Sequence, residues 1–253
     1  MNAPLAGKVI VVTRPAHQSA ALAEGIRAAG GEALLFPALE IVPVDTRSLA
    51  PLLSRLSDFD MAIFISPNAA RFGTAAIRES AAMPENIEVF AVGPGTAKTL
   101  ETLGLSGVTV PPGQDSEALL ALPQLQQVTG KRIAIFRGVG GRPLLADTLR
   151  ARGATVDYVE CYRRRCPDAD AGPLLQRWTE VSAVTIASAE TLHNLATLLG
   201  DSGTGRLRAT PLFVPHAKIA EAARMAGMTE VIVTAGGDAG LLQGLINWFR
   251  EHP

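Results

Sequence analysis

An internal repeat with an offset of about 123 residues limits this chain's possible folds more than any other feature. Gly7-Lys8 opens one apolar run and Gly130-Lys131 opens another, and the segment LAEGIRAAGG has its counterpart in LADTLRARGA. Further pairs near this offset are Ser66 and Ser188, Val108 and Val231, Val110 and Val233, Gly113 and Gly236, and Asp115 and Asp238. Several matches at nearly one offset predict two similar modules.

Short apolar runs alternate with Ala- and Leu-rich amphipathic segments. Runs that are apolar without strict alternation are typical of strands buried on both faces. Their alternation with helices predicts βαβ units, parallel sheets and helices on both sheet faces. We expect an α/β protein with two five-stranded modules, since a single sheet of ten strands tends to split or curl. The predicted strands are residues 8–13, 32–36, 61–66, 88–92, 108–110, 132–136, 154–159, 183–188, 211–214 and 230–234.

Two segments depart from this alternation at matching places in the repeat. FPALEIVPVD follows a predicted strand without a helix and contains Pro37 and Pro43, and YVECYRRR extends another strand. Proline favours sheet edges and isolated ribbons over central strands. We expect the two segments to pair as a ribbon that joins two lobes. The predicted parts are residues 1–37 and 166–253 for a discontinuous lobe 1, 44–158 for lobe 2, and 38–43 and 159–165 for the ribbon.

Composition and charge narrow the class of protein. The formal net charge is −1, so no global basic field indicates a nucleic-acid partner. Neither a signal peptide nor an apolar run of about 18 residues is found, so we expect a cytoplasmic protein without a membrane partner. Two cysteines, Cys161 and Cys166, are too few for a disulfide framework or a structural zinc site. We therefore expect reduced thiols and no metal.

A ligand is expected where the strands end, because doubly wound sheets bind ligands beyond the carboxyl ends of their strands. Most of these ends carry small or hydroxylic residues before a helix N-terminus, which suits anions. A Ser or Thr there is equally typical of a helix cap, and His216 is more typical of a solvated loop than of a ligand contact. Arg14 and Arg137, one repeat apart, can each bind a carboxylate or phosphate through two hydrogen bonds. The expected substrate-binding residues are Arg14, Ser66, Asn68, Gly93, Thr96, Arg137, Gly138, Arg142, Ser188, His216 and Lys218.

Tyr162 is the expected catalytic residue. It lies in the predicted ribbon, where its hydroxyl can donate a proton or orient a ligand, although a packing role at a hinge is an open alternative. GPGTAK lacks the spacing of a phosphate-binding loop and GVGGRP lacks the dinucleotide fingerprint. Neither HExxH nor a Ser–His–Asp order is found. The sequence therefore indicates neither a nucleotide cofactor nor a catalytic triad.

Five segments follow one another along nearly the whole chain: VTRPAHQSAALAEGIRAAGGEALLFPALEIVP, FISPNAARF, FAVGPGTAKTLETLG, FRGVGGRPLLADTLRARGATVDYVECYRR and IASAETLHNL. In this order they resemble the uroporphyrinogen-III synthase family. The resemblance implies two flavodoxin-like α/β lobes with parallel sheets, joined by a two-stranded β ribbon. It also implies that a linear tetrapyrrole, hydroxymethylbilane, loses water and closes to uroporphyrinogen III with inversion of its terminal pyrrole ring. The family uses no cofactor, and we expect a monomer, with a transient contact to the preceding pathway enzyme left open.

The resemblance also implies roles for single residues. The tyrosine matching Tyr162 is a candidate to assist departure of the hydroxyl group, and the residues matching Ser66, Thr96 and Ser188 are expected to face a cleft between the lobes. In the other module, the segment that corresponds to GPGTA reads VPHAKIA. Lys218 therefore replaces the threonine, and it is expected to pair with a carboxylate. Control by substrate orientation is expected to matter more than any one side chain. A two-lobed binding protein for a small anionic ligand and a nucleotide-sugar transferase remain the alternatives.

Overall fold

The computed structural model describes residues 3–80 and 82–252, and the chain divides into two compact units. Unit 1 ends its first part at Glu40 and resumes at Arg165, and unit 2 is Ile41–Arg164. Each unit contains one five-stranded sheet. The predicted α/β class with two parallel-sheet modules is therefore confirmed.

The strands and helices follow one another along the chain as the alternation of the sequence predicts. The strands are β1 (Val9–Val12), β2 (Glu32–Leu35), β3 (Glu40–Pro43), β4 (Met61–Phe64), β5 (Glu88–Ala91), β6 (Arg132–Gly138), β7 (Thr155–Arg165), β8 (Val181–Thr185), β9 (Leu212–Val214) and β10 (Val231–Val233). The helices are α1 (Ala20–Ala28), α2 (Thr46–Leu53), α3 (Pro67–Ser80), α4 (Pro94–Thr102), α5 (Ser116–Leu120), α6 (Pro123–Gln126), α7 (Leu144–Ala151), α8 (Gly172–Gln176), α9 (Ala189–Arg208), α10 (Ala217–Met225) and α11 (Gly237–Glu251).

Unit 1 has the strand order β10-β9-β8-β1-β2, with parallel pairing throughout. Counted from β1 within the repeat, this is the flavodoxin-like order 2-1-3-4-5. Val9 to Val12 are all buried because helices cover both sides of the central strand β1. One core cluster contains Val11 and the other contains Ile10, as expected for alternate residues of one strand.

Unit 2 repeats this topology with a different edge. Its order is β3-β7-β6-β4-β5, and β6, β7, β4 and β5 occupy the places of β1, β2, β8 and β9. The pairs β4–β5, β4–β6 and β6–β7 are parallel. Ala62 and Phe64 contribute to one core cluster, while Met61 and Ile63 contribute to the other. The repeat in the sequence is thus a repeat in the sheet order.

The predicted strand 108–110 is wrong. Thr109 forms only an isolated bridge with Phe90, through hydrogen bonds with Val89 and Ala91. Pro111 and Pro112 follow immediately, and because proline has no N–H donor the pairing cannot continue. The fifth strand of this sheet is β3, which pairs with β7 at the opposite edge.

The long strand β7 joins two segments that the sequence treats separately, residues 154–159 and 158–165. It runs for 11 residues, and the Val44 amide donates to the Cys161 carbonyl at 3.2 Å just beyond β3. The segments expected to form a ribbon therefore pair with each other. That they act as a hinge between two substrate-binding lobes stays a prediction.

Candidate active site

The carboxyl ends of β4 and β6 open a cavity of about 310 Å³ in unit 2. The two strands pair in parallel up to Phe64 and Phe136, so the segments that follow them leave the sheet side by side. After β4 the chain enters α3, and from the last residue of β6 it forms the glycine loop, Gly138–Arg142, before α7. Helices α3 and α7 contribute to different core clusters on the two sheet faces. This divergence is the topological switch point at which doubly wound sheets bind ligands.

Tyr162 lines this cavity and contacts Ser66, which lies just outside the lining. The Tyr162 phenol oxygen lies 3.2 Å from Ser66 Oγ, and the tyrosine is only 4% exposed. Ser66 Oγ also accepts the Ala69 N–H at 3.0 Å, which caps the start of α3. The Tyr162 ring stacks on Phe72 with centroids 5.8 Å apart. The tyrosine hydroxyl is therefore held by a hydrogen bond and by ring packing.

Gly138 gives the Tyr162 ring its space. A Cβ atom at position 138 would lie 2.6 Å from Tyr162 Cε2, which is closer than side chains tolerate. The next amide, that of Val139, donates to the Tyr162 carbonyl at 2.8 Å. A side chain at Gly138 would therefore displace the tyrosine or the loop.

Arg137 lies beneath the glycine loop and is only 5% exposed. Its guanidinium donates to the carbonyls of Gly138 at 3.2 Å and Gly140, with a longer contact of 3.5 Å to that of Arg142. Among the residues that the structure describes, no carboxylate forms an ion pair with it. Its positive charge is therefore left to act on the cavity.

Two further arginines, Arg142 and Arg164, line the same cavity, together with Asp115. Arg142 forms an exposed ion pair with Glu117 at 3.4 Å, which water largely screens. The cavity wall therefore carries more positive than negative charge. This electrostatic balance favours an anionic ligand such as a carboxylate.

A second cavity of about 240 Å³ adjoins the first one. It shares Ile65, Val92 and Gln114 with the first cavity. The predicted residues Ser66, Gly93 and Thr96 line it at the N-termini of α3 and α4. Asn68 lies in the first turn of α3 and is half-buried, outside both linings. Unit 2 thus brings together seven predicted residues: Ser66, Gly93, Thr96, Arg137, Gly138, Arg142 and Tyr162.

In unit 1, Arg14 forms an ion pair with Asp238 in the first turn of α11. The two side chains are 24% and 28% exposed, and Arg14 Nε is buried without a hydrogen-bond partner among the described residues. Burial lowers the pKa of the Arg14 guanidinium from its ordinary value. The arginine is thus occupied by an internal carboxylate at the carboxyl end of its sheet.

The other predicted residues of unit 1 also follow its strands. Ser188 caps α9 by accepting the Thr191 N–H at 3.0 Å, and its hydroxyl lies 2.8 Å from that of Thr191. His216 and Lys218 are exposed at the start of α10. Because β1, β8 and β9 are parallel, these residues share one sheet edge with Arg14. Their contact with a substrate stays a prediction.

Sequence reasoning missed Arg164 and Tyr158. Arg164 lies two residues after Tyr162 in β7, and this spacing places both side chains on one face of a strand. That spacing is a usable signal. Tyr158 contacts the Arg137 guanidinium, with Arg137 Cζ 4.5 Å from its ring centroid, and no pattern in the sequence indicates this contact.

Neither a metal centre nor a membrane span is found among residues 3–80 and 82–252. They contain no group of three or more His, Cys, Asp or Glu side chains arranged to hold a metal ion. None of their helices is long and apolar enough to cross a membrane.

Cys161 is buried, its Sγ lies 3.4 Å from the Arg137 carbonyl oxygen, and burial raises the pKa of its thiol to about 12.

Comparison with known proteins gives one consistent result. The sequence model of a family described as "Uroporphyrinogen-III synthase HemD" matches residues 20–240. The uroporphyrinogen-III synthase of Escherichia coli K12 is 34% identical over 235 residues, which cover 90% of this chain and 96% of that protein. The enzyme of the same name from Salmonella typhimurium is 38% identical over 194 residues, which cover 75% and 79%.

Solved structures support the same fold. A mutant uroporphyrinogen III synthase of Thermus thermophilus superposes with a TM-score of 0.63 at 19% identity, covering 97% of this chain and 100% of that one. The Helicobacter pylori uroporphyrinogen-III synthetase gives a TM-score of 0.61 at 15% identity with the same coverage. At these identities the likeness concerns the fold alone.

Proposed function

We propose, since the chain belongs to the uroporphyrinogen-III synthase family, that it catalyses the dehydrative cyclisation of hydroxymethylbilane to uroporphyrinogen III. The carbon–oxygen bond of the terminal hydroxymethyl group breaks, and the hydroxyl group leaves with one proton as water. The substituted carbon of the last pyrrole ring attacks the resulting azafulvene cation and becomes a quaternary spiro carbon. The older bond from this carbon to its methylene bridge then breaks, which leaves a second azafulvene cation at that methylene carbon. The free α-carbon of the last ring attacks this cation, so the ring is inverted. Loss of a ring proton restores the pyrrole, so the net change is the loss of one water molecule.

Tyr162, which lines the positively charged cavity and is hydrogen-bonded to Ser66, carries this proposal. Departure of the hydroxyl group needs a proton donor or a hydrogen-bond donor, and Tyr162 lines the cavity together with Arg137, Arg142 and Arg164. The Ser66 hydroxyl group is hydrogen-bonded to the phenol, and it also accepts a hydrogen bond from the Ala69 N–H in the first turn of α3. We therefore assign Tyr162 the role of assisting departure of the hydroxyl group and Ser66 the role of orienting it.

The substrate carries many carboxylates, and the remaining candidate residues suit carboxylate binding. We assign Arg14, Asn68, Gly93, Thr96, Arg137, Gly138, Arg142, Ser188, His216 and Lys218 to the binding of the tetrapyrrole. A cavity of about 310 Å³ is at the lower end of the roughly 300–1,000 Å³ typical of small-molecule sites. It suits one pyrrole ring with its carboxylate side chains better than a whole tetrapyrrole.

The same proposal concerns the protein's surroundings. We propose that the enzyme acts as a monomer in the cytoplasm, with neither a nucleic-acid nor a membrane partner. Its substrate cyclises spontaneously without ring inversion, so the enzyme must receive the linear tetrapyrrole soon after it forms. A transient contact with the preceding enzyme would serve this transfer.

The test is to incubate the protein with freshly made hydroxymethylbilane and to separate the type I and type III isomers by chromatography. We expect type III to exceed the spontaneous type I product, in proportion to the protein added. Heat-denatured protein is the control and should give type I alone. Type I alone with the native protein would overturn the proposed function, as expected for a binding protein or a transferase.

A further inference from the structure

The Arg137 guanidinium lies between the ring of Tyr158 and the carbonyl groups of the glycine loop. Arg137 Cζ is 4.5 Å from the Tyr158 ring centroid, while the nitrogen atoms donate to the loop carbonyls described above. Buried cations bind aromatic faces more strongly than exposed ones because water does not compete. The buried Arg137 guanidinium is thus stabilised by the Tyr158 ring as well as by the carbonyl groups of the glycine loop.

The ring of Tyr158, and not its hydroxyl group, makes this contact. The phenol oxygen is buried and has no hydrogen-bond partner among the described residues. Tyr158 is paired with Ile135 in the register of β7 and β6, and Arg137 follows Ile135 by two positions on the same strand. The ring also contacts Arg150, whose Cζ lies 5.4 Å from the centroid. The contact between the Tyr158 ring and Arg137 therefore accounts for a tyrosine at this position, although its hydroxyl group makes no hydrogen bond with the described residues.

The glycine loop needs such support. Gly140 and Gly141 have φ angles of 76° and 93°, in the left-handed region that glycine adopts freely, so the loop has little stiffness of its own. Its fixed points are the Arg137 guanidinium, the Tyr162 carbonyl and Glu160, whose Oε1 accepts the Gly140 N–H at 3.2 Å. Because Tyr158 does not line the cavity, it can affect a ligand there only through Arg137 and the loop.

We infer that Tyr158 is a positioning residue, whose ring holds Arg137 and thereby fixes the glycine loop in the conformation that receives a carboxylate side chain of the substrate. The inference rests on the proposed function for its ligand, but the mechanical link from ring to guanidinium to loop is independent of it. A positioning role acts on the binding of substrate, whereas a purely structural role reduces the fraction of folded protein.

Two substitutions separate the ring from the hydroxyl. Tyr158→Leu removes the ring, and we expect KM for hydroxymethylbilane to rise about tenfold with kcat within about twofold of the unmodified protein. Tyr158→Phe keeps the ring and should keep both constants. In hydrogen–deuterium exchange, the amides of residues 139–142 should exchange faster in the Leu variant and at the original rate in the Phe variant. If the Leu variant does not fold, Arg137→Lys, which loses the planar fork, should show the same faster exchange.

Unchanged KM and unchanged loop exchange in Tyr158→Leu would overturn the inference. So would a Phe variant as impaired as the Leu variant, because the hydroxyl would then have a role. A fall in apparent kcat at constant KM would indicate a loss of folded protein, and it too counts against positioning. If the unmodified protein makes no type III isomer, the proposed function fails, while the exchange measurement still decides the link between Tyr158 and the loop.

Discussion

The hydroxyl oxygens of Ser66 and Tyr162 lie 3.2 Å apart, although 96 residues separate them along the chain. Ser66 follows β4 and Tyr162 lies in β7, with β6 between the two strands in the sheet. Ser66 Oγ accepts a hydrogen bond from the Ala69 N–H, so the same hydroxyl group contacts both the helix and the tyrosine. This one pair links the start of α3 to the candidate catalytic group.

Removal of the Tyr162 hydroxyl should slow the reaction without stopping it. For Tyr162→Phe we expect kcat to fall about fivefold, since one hydrogen bond to the departing group contributes about 1 kcal/mol. The measurement is the initial rate of type III isomer formation. Tyr158→Phe is the matched control, because it removes a hydroxyl that has no partner among the described residues. A fully inactive, correctly folded Tyr162→Phe variant would show instead that the phenol is an obligatory acid.

Ser66→Ala should affect both stability and rate. Loss of the cap on α3 should reduce the free energy of unfolding by about 1 kcal/mol, measured by urea denaturation. The rate should fall about as much as in Tyr162→Phe, and the double variant should be no slower than either single variant, because both changes break one contact. Additive losses would contradict this coupling.

The control for the capping effect is Asp45→Ala. Asp45 caps α2 by accepting the Arg47 N–H at 3.0 Å, at an exposed position. This variant should lose a similar free energy of unfolding and keep its kcat.

Gly138→Ala should displace the Tyr162 ring, since the new Cβ would lie 2.6 Å from Cε2. We expect a loss of about 1–3 kcal/mol in the free energy of unfolding and a fall in kcat. Gly205→Ala is the control, because a Cβ there, within α9, has no atom within 4 Å. That variant should gain up to about 1 kcal/mol, as alanine does in helices. Equal stability of the two variants would contradict the close contact.

Asp238→Asn should lower KM severalfold. The substitution removes a negative charge beside Arg14 and leaves its guanidinium free for a substrate carboxylate. Arg14→Gln should raise KM by a similar factor, and steady-state kinetics at constant ionic strength will measure both. If both variants raise KM alike, the pair acts as a structural unit and Arg14 does not bind the substrate.

The two cysteines should differ sharply towards alkylating reagents. Burial raises the pKa of the Cys161 thiol to about 12, so at pH 8 almost none of it is thiolate. Mass spectrometry should find Cys166 modified first in the folded protein and both cysteines modified in urea. The raised pKa stabilises the folded state below the unfolded value of about 8.5, and this contribution is lost as the pH rises towards 12. Rapid modification of Cys161 in the folded protein would contradict its burial.

The repeat made the sheet topology largely predictable, because Gly7, Gly130, Gly30 and Gly153 mark the same turns in both units. The prediction of a strand at 108–110 was wrong because the apolar pattern alone does not show that Pro111, which lacks an N–H donor, ends the pairing with a neighbouring strand. The candidate site was predictable as a set of strand ends, since parallel strands bring those ends to one edge.

The contacts within the site were not predictable. Nothing in the sequence shows that Arg137 uses its donors on the glycine loop, or that Asp238 occupies Arg14. Both contacts depend on side-chain directions that follow from packing in three dimensions. The tight fit of Gly138 against Tyr162 likewise depends on the register between β6 and β7, which has an irregularity between Arg137 and Gly138.

The interruption of unit 1 by unit 2 sets an order of events on the ribosome. The Thr13 hydroxyl, next to β1, donates to the Thr185 carbonyl, 172 residues further along. At a translation rate of about 5–20 residues per second, roughly 10–30 s pass between the synthesis of β1 and that of β8. Ile41–Arg164 is complete before then, so we expect it to mature first. A premature stop codon soon after Arg164 would then release a folded insert preceded by β1, α1 and β2, which would lack the strands β8 to β10 of their own sheet.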